Sequence, residues 1–269
     1  MGEVLIRMKD LKKSYGRSTI LRGVDMEVEK GDIYGLIGRN GSGKTTIFKI
    51  LLGLSAYDSG EMHIGYEKDT LSEGRRRIGF FIGQHFFSYM TAAENLDYYR
   101  RLKGIPDKGE IGRVLKLVGL ENAANKKIFG FSMGMRQRLG IADAMLGSPE
   151  IMILDEPVNG LDPQGIADIR NLVKRINEEQ GITVIISSHI LSELQNTAGR
   201  FGILNDGVII KELSSEDLKV SNDSIRLRVD DAERARQLLA ENGIGILNET
   251  MDTMSLEDYY FHLIGGPEK

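Results

Sequence analysis

The amino-acid sequence predicts an α/β protein built round a parallel sheet, and three observations carry that expectation. A short apolar run, Ile33–Ile37, opens into the glycine-rich stretch Gly38–Gly43 and then into helical spacing from Thr46 to Leu52. A second apolar run, Ile151–Leu154, ends in the acids Asp155 and Glu156. Further strand-like runs follow at Thr183–Ile186 and Phe201–Leu204, with a helical pattern over Ile166–Ile176 lying between the acidic run and the first of them. Strands that alternate with helices in this way imply a parallel sheet.

The elements can be justified in order. Val4–Leu11 mixes apolar and basic residues in partial alternation and reads as a strand. Over Val24–Val28, Val24, Met26 and Val28 alternate with acids, a second strand, and Lys30-Gly31-Asp32 is a turn. From Tyr89 to Leu146 apolar residues recur at helical intervals (Leu96, Tyr99 and Leu102; Val114, Leu117 and Val118; Leu139, Ala142 and Leu146), which predicts a mostly helical insertion. After about Ser214 the character changes again. Ile225–Val229 alternates, Ala232–Leu239 is helical in pattern, and Ser255–Asp258 resembles a helix start. Residues 214–269 are therefore expected to form a small α+β appendix, either a packing element or a regulatory or dimer-contact one.

Composition narrows the function classes. The 269 residues carry 35 Lys+Arg against 39 Asp+Glu, a net charge of −4, which argues against a general nucleic-acid binder. There is no cysteine, so disulfide scaffolds, thiol catalysis and cysteine-ligated metals are excluded. No apolar run approaches the roughly 18 residues that a membrane span needs, and Met1-Gly2-Glu3 leads straight into a strand rather than a signal peptide. The expectation is a soluble chain that reaches a membrane only through a partner.

Two motifs carry chemistry. Residues 38–46, GRNGSGKTT, satisfy G-x-x-x-x-G-K-[ST] between a strand and a helix. Gly38, Gly41 and Gly43 permit a backbone that a Cβ would block, so that amides from Gly38 through Arg39, Asn40, Gly41, Ser42 and Gly43 to Thr46 can cradle phosphate oxygens. Lys44 places a point charge on the β- and γ-phosphates, and the Thr45 hydroxyl is set to ligate magnesium. In the second motif Asp155 and Glu156 stand at the carboxyl edge of a buried strand, where open parallel sheets bind ligands. Asp155 can hold magnesium, and Glu156, pointing the other way along the strand, can accept a proton from an attacking water.

With these residues in place, most of 1–213 resembles the ATP-binding cassette (ABC) ATPase family. Tyr15-Gly16 matches the aromatic loop that stacks on adenine, and Gln84 matches the glutamine that joins two subdomains and senses magnesium and the γ-phosphate. FSMGMRQRL, residues 131–139, matches the family signature usually written LSGGQ, and Val158–Pro163 matches the loop that communicates between subunits. Ser187-Ser188-His189 matches the switch histidine that contacts the γ-phosphate. The signature departs from the family pattern: Phe131, Met133 and Met135 replace leucine, glycine and glutamine, while Ser132 and Gly134 remain. Such variants look like the exporter ATPases associated with bacitracin and lantibiotic resistance.

The resemblance implies a P-loop ABC ATPase core with an antiparallel β subdomain, a helical subdomain over about 87–147, and ATP and Mg2+ as ligands. It implies a head-to-tail pairing with a second ATP-binding subunit, identical or not, in which Ser132, Met133, Gly134 and Met135 reach the partner's nucleotide. It further implies polytopic membrane subunits on separate chains, at the cytoplasmic face of the membrane. The aromatic segment Phe86–Met90 offers either anchors for such a partner or core for the helical subdomain. The competing reading is a soluble ABC ATPase acting on ribosomes or DNA. Against it stand a single cassette, only 132 − 44 = 88 residues between Lys44 and Ser132, and the mildly acidic charge. His63, His85 and His262 show no metal-ligand spacing and read as surface or packing residues, Arg75-Arg76-Arg77 as a solvated face, and the 11 methionines mostly as core filler.

Overall fold

The chain opens with two long antiparallel strands, β1 (Val4–Tyr15) and β2 (Ser18–Glu29), reversed at Gly16, whose φ of 60° suits glycine. Both are longer than the apolar alternation predicts. The end added to β1, Lys12–Tyr15, carries no apolar alternation, and the stretch added ahead of Val24 in β2, Ser18–Gly23, has only Ile20 and Leu21 as apolar residues; ladder pairing from Lys12↔Arg22 to Tyr15↔Ser18 keeps both extended. The structure is a computed structural model and describes residues 2–83, 86–189, 191–217, 229 and 231–246.

After β3 (Ile33–Ile37) and α1 (Lys44–Leu51) comes β4 (Ser59–Ile64), which completes a three-stranded sheet in the order β2-β1-β4. β4 escapes sequence reading because half of its residues are exposed and only Met62 and Ile64 are apolar. The short α2 (Leu71–Arg76) starts from a capping box in which Thr70 and Glu73 satisfy each other's amides, and β5 (Ile78–Ile82) follows. The helical insertion consists of α3 (Ala92–Leu102), α4 (Gly109–Leu117) and α5 (Met133–Ala144). Then come β6 (Ile151–Asp155), α6 (Pro163–Gln180), β7 (Thr183–Ser188), α7 (Leu191–Thr197), β8 (Arg200–Asn205) and β9 (Val208–Ser214). The helix expected over Ile166–Ile176 grows at both ends. The Asp162 carboxylate accepts from the Gly165 amide at 3.0 Å, Pro163 occupies the first turn, and Gly181 stops the helix at φ 66°.

The second sheet has six strands in the order β5-β6-β7-β3-β8-β9, parallel from β5 to β8 with β9 antiparallel at the edge. β6 explains why its sequence is a continuous apolar run. Ile151 and Ile153 belong to the core shared with β1, β2 and α1, while Met152 and Leu154 belong to the core shared with α5 and α6.

Arg75 and Arg77 are corrections to the sequence reading. Arg75 donates to the carbonyls of Leu51 and Ile50 at the end of α1, at 3.0 and 3.2 Å, so it caps a helix. Arg77 pairs with Asp69 and Glu150 and lies 4.8 Å over the Tyr66 ring, tying the segment after β4 to the start of β6. Of the three arginines only Arg76 is exposed. His63 is a packing residue, its ring nitrogen 3.2 Å from the Gly65 carbonyl, whereas His85 and His262 lie outside the described residues. Met8, Met26, Met145 and Met152 are buried core, and Met133 is exposed.

The chain divides into two compact units, Met1–Lys219 and Val220–Lys269. In the second, α8 (Ala232–Glu241) forms where the sequence predicts a helix, its start capped by the Asp231 carboxylate accepting from the Arg234 amide at 3.0 Å. Residues 225–228 and 255–258, which carry the other two expectations there, lie outside the described residues. Among the described residues no helix is long and apolar enough to cross a membrane.

Candidate active site

Three adjacent strands, β6, β7 and β3, end together. Ile37 stands opposite Ser188, and Asp155 opposite Ser187, so the loop after β3, the acid that ends β6 and the tip of β7 meet at one sheet edge. The loop geometry demands its glycines. Gly41 and Gly43 take φ values of 82° and 113°, and a Cβ on Gly38 would sit 2.5 Å from Ser42 Oγ and 2.7 Å from the Leu204 carbonyl. Gly43 starts α1 without a side-chain cap, which leaves the amides at the positive end of that helix available to an anion.

Lys44 is 6% exposed, and its Nζ donates to the Gly38 carbonyl at 2.6 Å. Thr45 Oγ1 donates to Asp155 Oδ2 at 2.8 Å, joining the phosphate loop to the acidic strand. Glu156 does not get its direction from the strand's pleat, as the sequence reading had it. β6 ends at Asp155, and Glu156 turns away in the left-handed region at φ 52°. That turn brings Oε1 to 3.6 Å from Lys44 Nζ and Oε2 to 2.6 Å from His189 Nδ1.

These groups surround a cavity of about 550 Å³, lined among others by Tyr15, Lys44, Thr45, Asp155, Glu156 and His189. Arg39, Asn40, Gly41, Gly43 and Thr46 line it too, whereas Gly38 and Ser42 do not. The Tyr15 hydroxyl is 3.0 Å from Ser55 Oγ, and Lys13 Nζ lies 5.0 Å from the ring centroid, so the ring is held at its tip and on one face. Ile20 and Asn159 also line the cavity. Ile20 was not foreseen, since it precedes the alternating run Val24–Val28 and carries no motif, and only the packing of β2 beside Gly43 of the loop reveals it.

Ser132, Met133, Gly134 and Met135 do not line this cavity. They begin α5, where Ser132 Oγ accepts from the Met135 amide at 3.3 Å. Phe131 is buried core, which accounts for an apolar residue at that position. Gln84 lies outside the described residues.

The site suits a nucleotide with a hard divalent cation. Ser42 Oγ is buried in the loop without a hydrogen-bond partner, a polar atom in want of one beside the cradle. Thr45 and Asp155 form an oxygen pair of the type that Mg2+ prefers. Among the described residues no group of three or more His, Cys, Asp or Glu is placed to hold a metal ion.

Comparison with known proteins settles the family. The family model described as ABC transporter matches residues 21–159. The bacitracin transport ATP-binding protein BcrA of Bacillus licheniformis is 38% identical over 97% of this chain and 98% of its own. This chain belongs to the ABC transporter family as an ATP-binding subunit. The lantibiotic transport ATP-binding protein SrtF of Streptococcus pyogenes is 41% identical over 77% of this chain and 90% of its own. Among solved structures, a dimeric ATP-binding cassette in a post-hydrolysis state, bound to ADP and Pi, matches with a TM-score of 0.69 and 29% identity. It covers 78% of this chain and 99% of that one. The α/β cassette fold and the ATPase activity follow from this membership: the ABC subunit binds and hydrolyses ATP to drive transport.

Proposed function

We propose that this ABC subunit powers an exporter of drug, peptide or lantibiotic-type substrates, working in head-to-tail pairs beneath separate polytopic membrane subunits at the cytoplasmic face of the membrane. The observation that carries it is the convergence of Lys44, Thr45, Asp155, Glu156 and His189 on one cavity in a chain similar along nearly its whole length to a bacitracin transport subunit. In this reading the adenine stacks on the free face of Tyr15 and the phosphates lie on the loop amides of residues 38–46. Lys44 exchanges its contact with the Gly38 carbonyl for the β- and γ-phosphates. Glu156 accepts a proton from the attacking water, and His189, already hydrogen-bonded to that carboxylate, keeps it aimed and reaches the γ-phosphate. Thr45 and Asp155, with Gln84, would hold magnesium, which supplies charge neutralisation on the phosphates.

The location of the signature supports pairing. Ser132, Met133, Gly134 and Met135 lie away from the chain's own cavity, so they serve a nucleotide only when it is bound to a second subunit, identical or not. Ser132 and Gly134 keep the hydroxyl and the helix-start amide that a γ-phosphate needs. The Phe86–Met90 segment is packed at one end and exposed further along. Phe86 packs edge-on against Tyr99 in the helical core, Phe87 meets Tyr98 edge-to-face as well, and Tyr89 is 65% exposed. Tyr89, Tyr98 and Phe129 thus present an aromatic surface for a membrane subunit. A net charge of −4 gives no footprint for nucleic acid.

The test is to tag the chain, purify it from native membranes in mild detergent and identify what accompanies it. A stoichiometric polytopic membrane protein is expected. Recovery only from the soluble fraction, with ribosomal or DNA-repair partners, overturns the exporter reading and leaves the ATPase intact.

A further inference from the structure

Ser187 lies at the end of β7, fully buried and directly opposite Asp155 in the β6–β7 ladder. Its hydroxyl makes two hydrogen bonds with different owners. It donates to Asp155 Oδ1 at 2.6 Å, and it accepts from the Glu156 amide at 2.9 Å. The other Asp155 oxygen accepts from Thr45 at 2.8 Å, so both lobes of that carboxylate are directed by hydroxyl donors. A carboxylate held at both oxygens cannot swing about its Cβ–Cγ bond without breaking one of them.

The second hydrogen bond acts on the backbone. Glu156 is one of only four non-glycine residues with positive φ among the described residues, and a residue in that region persists only where its surroundings over-determine it. Its amide is satisfied by Ser187 rather than by a strand partner, and the turn sends its side chain to Lys44 and His189. One buried oxygen therefore stands between the carboxylate on the phosphate-loop side and the backbone that aims the carboxylate on the hydrolytic side.

We infer that Ser187 is a positioning residue for ATP hydrolysis, its hydroxyl setting the direction of Asp155 towards a divalent cation and the left-handed turn of Glu156 towards the water-activating position. The inference rests on the roles given above to Asp155 and Glu156. An aliphatic residue in the same place would pack as well in a buried strand end, but it would leave the Asp155 oxygen and the Glu156 amide without their partner. Outer-shell partners of metal ligands typically contribute about 10- to 100-fold in metal affinity or activity.

The experiment uses the full chain with a non-hydrolysable ATP analogue and Mn2+, read by electron paramagnetic resonance of the bound ion, alongside analogue binding in EDTA. Ser187→Ala is expected to weaken Mn2+ binding about tenfold or more. Analogue affinity in EDTA should stay within about twofold, because the loop amides and Lys44 do not depend on Ser187. In steady state kcat should fall while KM for ATP at saturating metal holds. Ser187→Thr, which keeps the hydroxyl, should recover most of the Mn2+ affinity. Unchanged Mn2+ binding in Ser187→Ala overturns the inference. So does an equal loss of analogue binding with and without metal, which would mark general damage to the strand end, and so does a threonine variant that folds but is as weak as alanine. Asp155→Asn separates the two levels of the argument. If it retains full Mn2+ affinity, the reading of Asp155 itself fails; if it loses affinity and Ser187→Ala does not, only the role of Ser187 fails.

Discussion

Replacing Glu156 with glutamine separates binding from hydrolysis, and the surroundings of the side chain set the size of each effect. The substitution removes a charge but little volume. The carboxamide oxygen can still accept from His189 Nδ1, which lies 2.6 Å from Glu156 Oε2, so the aim of the side chain survives. Lys44, 6% exposed, loses a carboxylate 3.6 Å away but keeps the Gly38 carbonyl at 2.6 Å. The cost to the folded state should thus be about 1 kcal/mol, lowering the melting temperature by about 2–4 °C for a domain of this size. ATP at 100 times its dissociation constant should still stabilise the variant by about 2.7 kcal/mol, since neither the loop nor Tyr15 is touched. Hydrolysis should suffer far more. A positioned general base contributes about 10²–10⁴-fold, or roughly 3–5 kcal/mol of barrier. The assay is phosphate release at saturating ATP, paired with thermal melts with and without nucleotide. Turnover within tenfold of the unchanged protein would show that Glu156 is not the base. Loss of the nucleotide-induced shift would show instead that its charge is needed to bind ATP.

Three other outcomes follow from single contacts. Tyr15→Ala should weaken nucleotide binding by about 5- to 150-fold, the value of about 1–3 kcal/mol of base stacking, whereas Tyr15→Phe loses only the Ser55 contact at 3.0 Å and should stay within a few-fold; titration with a fluorescent nucleotide reads both. Gly79→Ala should destabilise the cassette by about 3 kcal/mol or more in urea melts, because the new Cβ would fall 1.8 Å from the Ala144 carbonyl oxygen and 2.9 Å from Pro149 Cγ, neither of which can yield cheaply. Glu110 titrates below the usual glutamate range because the Arg113 guanidinium donates to it at 2.7 and 2.8 Å, helped by the Gly147 amide at 2.9 Å. A lowered folded pKa contributes stability that is full above the ordinary value of 4.5 and is lost as pH falls from there through the folded value. Glu110→Gln should therefore flatten the acid limb below about pH 4.5, and urea melts between pH 3 and 5 that show the same slope for both proteins would contradict the assignment.

Much of the cassette was legible because its signals are local. A run of glycines between a strand and a helix can be read from nine consecutive residues, and a β-strand buried on both faces announces itself as unbroken apolar sequence, as Ile151–Leu154 does. Helix limits were harder to see, since the extra turns of α6 depend on Asp162 and Gly181 rather than on apolar spacing. β4 and β9 were not foreseen. Both lie at sheet edges, where one neighbour suffices and about half the residues face solvent, so neither shows a regular apolar alternation: β4 has only Met62 and Ile64, and the apolar start of β9, Val208–Ile210, gives way to Lys211 and Glu212. Arg75 and Arg77 look like a solvated charge run until the helix end and the carboxylates they serve are in place.

The sequence by itself determined which chemistry is present: a phosphate loop, two acids at a strand end, a histidine after a β-branched strand, and a signature altered at three positions. The tertiary structure decided how those groups meet. Thr45 and Asp155 are 110 residues apart, Asp155 and Ser187 are 32 apart, and Glu156 and His189 are 33 apart, yet each pair is within hydrogen-bonding distance. What joins them is the pairing order β6-β7-β3 and its register, which no single segment specifies. Side-chain identity is written residue by residue, but the alignment of strand ends emerges only when separate segments share one hydrogen-bonded ladder and one core.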